Sequence, residues 1–185
     1  MVDELMEDGR RRMEGAVEAL KVDFNSVRTG RASTALLDRI TVEYYGTRTP
    51  LKQLANLAAP DPRLLSVTVY DKQAVNPVVR AIQESDLGLT PNTDGNVIRL
   101  NIPVLTQERR RQLVKLVHGM AEDKRVAVRN VRRDVIADCK DLKKEGEISE
   151  DDERRAEEEV QKLTDHHIER VNEILKRKEV EILEI

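Results

Sequence analysis

Nine of the residues between 106 and 133 are arginine or lysine and only three are acidic. Within that stretch lie Arg125, Arg129, Arg132 and Arg133. On a helix turning about 100° per residue they share a stripe with Arg111 and Lys115, beside an apolar face of Val128, Val131 and Val135, and Glu122 interrupts the stripe. The chemistry such a row offers is phosphate recognition. A guanidinium is planar, donates two parallel hydrogen bonds, and sheds water more easily than an ammonium. No aromatic side chain is interleaved, so stacking of splayed bases is not implied, and contact with the backbone and shape of folded RNA is the better fit. The same stripe also fits a solvated flank paired with an acidic neighbouring helix, and the pattern does not separate the two.

Other residue types offer less. His166 and His167 are adjacent, so on a helix they diverge by about 100° and cannot simply share one metal ion, and His118 is remote. Ser149-Glu150-Asp151-Asp152-Glu153 lacks the alternating ligands and central glycine of a calcium loop and reads as a helix cap. Gly30 and Gly46 stand alone, without a glycine-rich phosphate loop. Cys139 falls on an apolar stripe, where a cysteine is core rather than nucleophile. No nucleophile, base and orienting group assemble, so no catalytic residue and no enzyme activity is expected.

The elements that must hold the arginines are long helices. All six prolines fall between residues 50 and 103, and the flanks have none; a helix interior tolerates proline poorly. In the first flank Val2, Met6, Met13, Val17, Leu20, Phe24 and Val27 recur on one face, with Gly9 and Ala16 beside them. After Pro103 a second helix is expected, with Thr106 as its cap and Leu113, Val117, Met120, Val128, Val131, Val135, Cys139 and Leu142 on its apolar face, a rod of roughly 55–60 Å ending at Gly146. A third runs from about residue 150 to near the end, with Val160, Leu163, His167, Val171, Ile174 and Ile182 on one side. Helices of this kind gain most of their stability from packing, so a three-helix bundle follows, interrupted by a mixed insert.

In the insert, 40–44, 65–70 and 97–102 read as strands, 78–82 as a helix after Asn76-Pro77, and Pro91-Asn92-Thr93-Asp94-Gly95 as a turn. The expected division is residues 1–30 and 105–185 for the bundle and 31–104 for the insert. The joints near 29–31 (Thr29, Gly30, Arg31) and 103–106 (Pro103, Val104, Leu105) are candidates for a hinge.

Composition agrees. The 185 residues are 36% charged and 2% aromatic, against a wholly β fold, and 39% hydrophobic, too apolar for disorder. No run approaches the length of a membrane span, no signal peptide is visible, and a single cysteine excludes an internal disulfide. A cytoplasmic setting fits. The net charge of −3 conceals a basic 106–133 and an acidic 134–185, the latter with ten basic and eighteen acidic residues.

Several long segments carry a resemblance. Val27-Arg28-Thr29-Gly30-Arg31-Ala32-Ser33, Val42-Glu43-Tyr44-Tyr45-Gly46, Ser85-Asp86-Leu87-Gly88-Leu89, and the run Val126 to Asp134 all resemble the bacterial ribosome recycling factor family. So do Glu147 to Asp152 and Val160 to Asp165, and the likeness spans essentially the whole chain. It implies an α+β fold: an elongated antiparallel three-helix bundle with an inserted small β/α/β domain, L-shaped and similar in outline to transfer RNA. It implies a non-catalytic factor, needing no cofactor or metal, that acts with elongation factor G and GTP. Together they split the post-termination ribosome into subunits and release messenger RNA and deacylated transfer RNA. The expected partners are the large-subunit ribosomal RNA and elongation factor G, with no membrane, for a monomeric protein. The family's RNA-contacting arginines match Arg28, Arg31, Arg110, Arg129, Arg132 and Arg133 here. Two readings compete. A helical RNA chaperone or adapter would bind free structured RNA as well as ribosomes, and a nucleotide-processing enzyme would turn over without them.

Overall fold

The computed structural model describes residues 1–184, and in it the chain divides into two compact units. Met1–Arg28 and Gln107–Glu184 form one, and Thr29–Thr106 the other.

The first unit is three helices, α1 Val2–Ser26, α4 Gln107–Lys144 and α5 Glu150–Leu183. Helix α4 begins directly after Thr106, and at about 1.5 Å per residue its length is near 57 Å. Its buried face is Leu113, Val117, Ala121, Val128, Val131, Val135 and Cys139, spaced by three, four and seven. From α1 it meets Met6, Met13, Val17, Leu20 and Phe24, and from α5 Ala156, Val160, Val171, Leu175 and Ile182. Ion pairs and one hydrogen bond record the directions. Arg12 reaches Asp134 at 2.6 Å and Lys124 reaches Asp23 at 3.3 Å, so α1 and α4 are antiparallel. Lys143 reaches Glu153 at 2.7 Å and Arg125 reaches Asn172 at 2.8 Å, so α4 and α5 are antiparallel as well. Glycine at position 9 matters for the contact: a Cβ there would lie 2.9 Å from Val135 Cγ2, so its absence lets α1 and α4 approach closely. Gly146, at φ +76°, ends the α4 segment. Ser149 then caps α5 by accepting from the Asp152 N–H, while the Asp152 carboxylate accepts from the Ser149 N–H.

Two polar residues lie inside this unit. Thr164 donates to the Val160 carbonyl at 2.7 Å. His167, buried, places Nδ1 2.7 Å from the Leu163 carbonyl and Nε2 3.2 Å from Glu14, which also accepts from Arg170.

The second unit holds two antiparallel sheets, one a hairpin of β1 Thr41–Tyr44 and β2 Thr47–Pro50. Its turn residues, Tyr45 at φ +49° and Gly46 at φ +76°, both lie in the left-handed region that a tight hairpin with native twist requires. The other sheet has the order β3-β4-β6-β5, from β3 Ala55–Asp61, β4 Leu64–Val69, β5 Pro91–Asp94 and β6 Val97–Asn101. A single turn, α2 Leu51–Leu54, leads into β3, and α3 Val75–Gln83 packs Val78 and Ile82 into the core with Leu65, Val67, Ile98 and Leu100.

Pro91 to Asp94, expected as a turn, is instead the edge strand β5, and the turn is Gly95-Asn96. Strands β2 and β3 were not expected either. Pro50, Pro60 and Pro91 account for these misses: proline punctuates most sequences, yet an edge strand accepts it because one row of its N–H groups has no ladder partner. Register in β3 slips between Ala58 and Asp61, at Pro60.

Candidate nucleic-acid interface

The arginines of α4 are fixed by the apolar face beneath them. Because Val128, Val131 and Val135 point inward, the side chains between them must project along the flank toward α5 or into solvent. Arg125 and Arg132 turn toward α5. Arg125 Nε donates to Asn172 Oδ1 at 2.8 Å, and Arg132 Nη1 donates to Gln161 Oε1 at 3.1 Å. Arg133 is exposed and donates to Asn130 at 3.2 Å. Arg129, with its side chain 38% exposed, donates to Glu122 Oε1 at 3.1 Å, and Arg125 donates to the other oxygen of the same carboxylate at 2.9 Å. Hydrogen bonds from Arg125 and then Arg129 hold the Glu122 carboxyl below the usual carboxylate range.

Carboxylate pairing therefore takes part of the stripe, Arg125 and Arg129, and leaves the rest. Arg132 and Arg133 are held by neutral amides, which orient a guanidinium without cancelling its charge. Arg111 and Lys115 are exposed about five to six turns earlier on the same helix. The flank is thus a basic face only partly offset from within, between the two alternatives that the pattern left open.

Arg28 and Arg31 are exposed, in the first and the second unit respectively. Arg110 is half-buried: Nη1 reaches the Leu183 carbonyl at 3.5 Å, and Nε is enclosed with no hydrogen-bond partner. Its direction follows from its position on the wheel, close to the core face. Of the six arginines singled out from the sequence, Arg129, Arg132 and Arg133 come together on one helical flank, and Arg110 stands apart nearer the start of α4.

Between the proposed joints, Gly30 at φ +76° lies against Leu105, and a Cβ at Gly30 would come within 2.7 Å of Leu105 Cγ. Thr29 is buried and Val104 exposed. The other candidates are accounted for structurally. Cys139 is buried and burial pushes its thiol up. His118 pairs with Glu179. Among the described residues no three metal-ligating side chains converge, and no helix is long and apolar enough to cross a membrane.

The residues that sequence reasoning missed are the holders, Gln161 and Asn172 on α5, which lie 29 and 47 positions from their arginines. Local spacing carries no signal for them. Glu122 was visible as an interruption, but its bridging of two arginines was not.

Comparison with known proteins gives one consistent result. The family described as ribosome recycling factor matches residues 20–183. A ribosome-recycling factor from Rubrobacter xylanophilus is 58% identical over 97% of both chains. One from Thermomicrobium roseum is 51% identical over the whole of both. Among solved structures, the solution structure of a ribosome recycling factor superposes with a TM-score of 0.70 at 42% identity, covering 100% of this chain and 98% of that one. A chain from a structure of the T. thermophilus ribosome recycling factor and the E. coli elongation factor G bound to the E. coli post-termination complex gives 0.61 at 45% identity, covering 99% of each.

Proposed function

The chain belongs to the ribosome recycling factor family, and from that premise we propose how its own residues serve the splitting of post-termination ribosomes. The protein is a translation factor without catalytic activity, working on the ribosome with elongation factor G. A factor of the ribosome belongs in the cytoplasm. The reading of its contact surface is carried by one observation: a single long helix presents Arg129, Arg132 and Arg133 on one flank, two of them on neutral holders.

Docking begins when guanidinium forks replace the counterions of ribosomal RNA phosphates, which fixes orientation without reading sequence. Arg28, Arg31, Arg129, Arg132 and Arg133 supply the forks, and Arg110 joins by leaving the Leu183 carbonyl. The segments Thr29-Gly30-Arg31 and Pro103-Val104-Leu105 serve as a hinge, so that a push received from elongation factor G by the second unit changes its angle before it loads the bundle. The energy comes from GTP on the partner. The helices transmit it, because bending a packed bundle breaks many contacts at once.

Two measurements test this. Light scattering of post-termination ribosomes should fall only when this protein, elongation factor G and GTP are all present, and splitting that proceeds without this protein would overturn the assignment. Arg132→Ala should weaken ribosome binding and lower its salt dependence by about one phosphate contact, while stability stays within about 0.5 kcal/mol. Unchanged affinity would remove Arg132 from the interface. Binding of free structured RNA as tightly as ribosomes would favour an RNA chaperone instead.

A further inference from the structure

Two kinds of partner hold the arginines between residues 125 and 133 of α4. Arg132 and Arg133 rest on the amide oxygens of Gln161 and Asn130. Arg125 and Arg129 meet instead at one carboxylate, with Glu122 Oε2 accepting from Arg125 at 2.9 Å and Oε1 accepting from Arg129 at 3.1 Å. An anion bridging two guanidinium groups, one oxygen to each, is also how an RNA phosphodiester would sit between the same forks. The Glu122 side chain is 52% exposed, so no packing requirement accounts for a carboxylate there. Arg125 has a second anchor at Asn172, so its place on the helix flank does not depend on Glu122.

We propose that Glu122 is an internal counter-anion, occupying the position of a backbone phosphate between Arg125 and Arg129 and thereby limiting how tightly the α4 flank grips RNA. The proposal rests on the reading of that flank as the ribosomal RNA contact. A phosphate can enter only when the Glu122 side chain swings into solvent and gives up both ion pairs. Its carboxyl, held anionic by the two arginines, is a competitor throughout the neutral pH range. The grip is weakened without removing a single basic side chain. That suits a factor that must leave every ribosome it acts on, because differences in affinity among related complexes appear mostly in the rate of dissociation. A brace that merely aligned Arg129 would do the opposite, raising affinity.

The test uses the full chain and isolated large ribosomal subunits, titrated over a series of potassium chloride concentrations. Glu122→Gln keeps the shape and removes the charge. Binding should tighten about three- to tenfold at fixed salt, as expected for releasing two partly exposed ion pairs. The plot of log affinity against log salt should steepen by about one phosphate contact. Dissociation should slow, and the melting temperature should stay within about 2 °C. Glu122→Asp, which keeps the charge, should return the slope toward the natural value. Arg129→Ala is run beside them and should weaken binding. If it does, while Glu122→Gln binds no tighter or leaves the slope unchanged, the counter-anion role is wrong and the flank survives as the contact. If neither variant changes binding, the flank is not the contact and both readings fall.

Discussion

Apolar side chains are buried in different ways in the two units. In the bundle they are strung along helices of 25, 38 and 34 residues, and around residues 6–13, 128–139 and 156–160 they are mostly valine, alanine, methionine and one cysteine. In the insert, strands of four to seven residues surround one dense knot that includes Leu37, Leu51, Leu65, Ile82, Ile98 and Leu100. A thin core under long helices leaves much exterior, and the charged rows lie there. A compact core leaves little exterior and spends its sequence on turns. The unit with the thinner core is thus the one with room for long charged rows, and the other is packed around a single centre.

Core truncations measure that contrast most directly. Leu65→Ala, near the start of β4 and fully buried, should cost about 3–4 kcal/mol, whereas Val160→Ala on α5 should cost about 2 kcal/mol. Urea denaturation gives the totals. Native-state hydrogen exchange should show Leu65→Ala loosening amides of the insert first. Equal costs, or loosening that begins in the bundle, would erase the distinction between the two cores.

Glycine substitutions probe the boundary. Gly30→Ala faces both a left-handed backbone and the Leu105 side chain, and should cost about 1–3 kcal/mol. Gly95→Ala meets the same backbone demand in open space and should cost about 1 kcal/mol. A melting temperature lower for Gly95→Ala than for Gly30→Ala would mean that the approach of Leu105 is not a constraint.

Ser149→Ala, the smallest change, touches only the bundle and should cost about 1 kcal/mol by removing the α5 cap. The Ser149 hydroxyl, and then its N–H, holds the Asp152 carboxyl below its usual range. A group with a depressed folded value stabilises above its unfolded value and ceases to do so as pH falls through the folded one. The deficit of Ser149→Ala should therefore be full near neutrality and shrink as acidification passes through and below the ordinary carboxylate range. A deficit independent of pH would show that the reciprocal half of the cap contributes nothing.

The bundle was largely legible because a period near 3.6 sustained for more than twenty residues cannot be mistaken. Met6, Met13, Val17, Leu20 and Phe24 are buried as their spacing requires, as are six of the eight expected α4 positions; Met120 and Leu142 are half-buried, and Ala121 is buried beside Met120. On α5 the burial falls on Leu175 rather than on Ile174, which is only half-buried, since a wide apolar stripe fixes a direction only to within one residue. The insert was less legible. Its strands are short, and three of its prolines mark strands where punctuation was expected. For the candidate site, local sequence supplied the arginines of α4 but not their holders, because Gln161 and Asn172 are brought close by tertiary packing alone.

The prolines at the margins of the four-stranded sheet have one more effect. β3 and β5 are its outermost strands, and each carries a proline. An outer strand with a full row of free N–H groups would template pairing with another copy, but Pro60 and Pro91 cannot donate. Addition of a foreign strand is blunted on both sides.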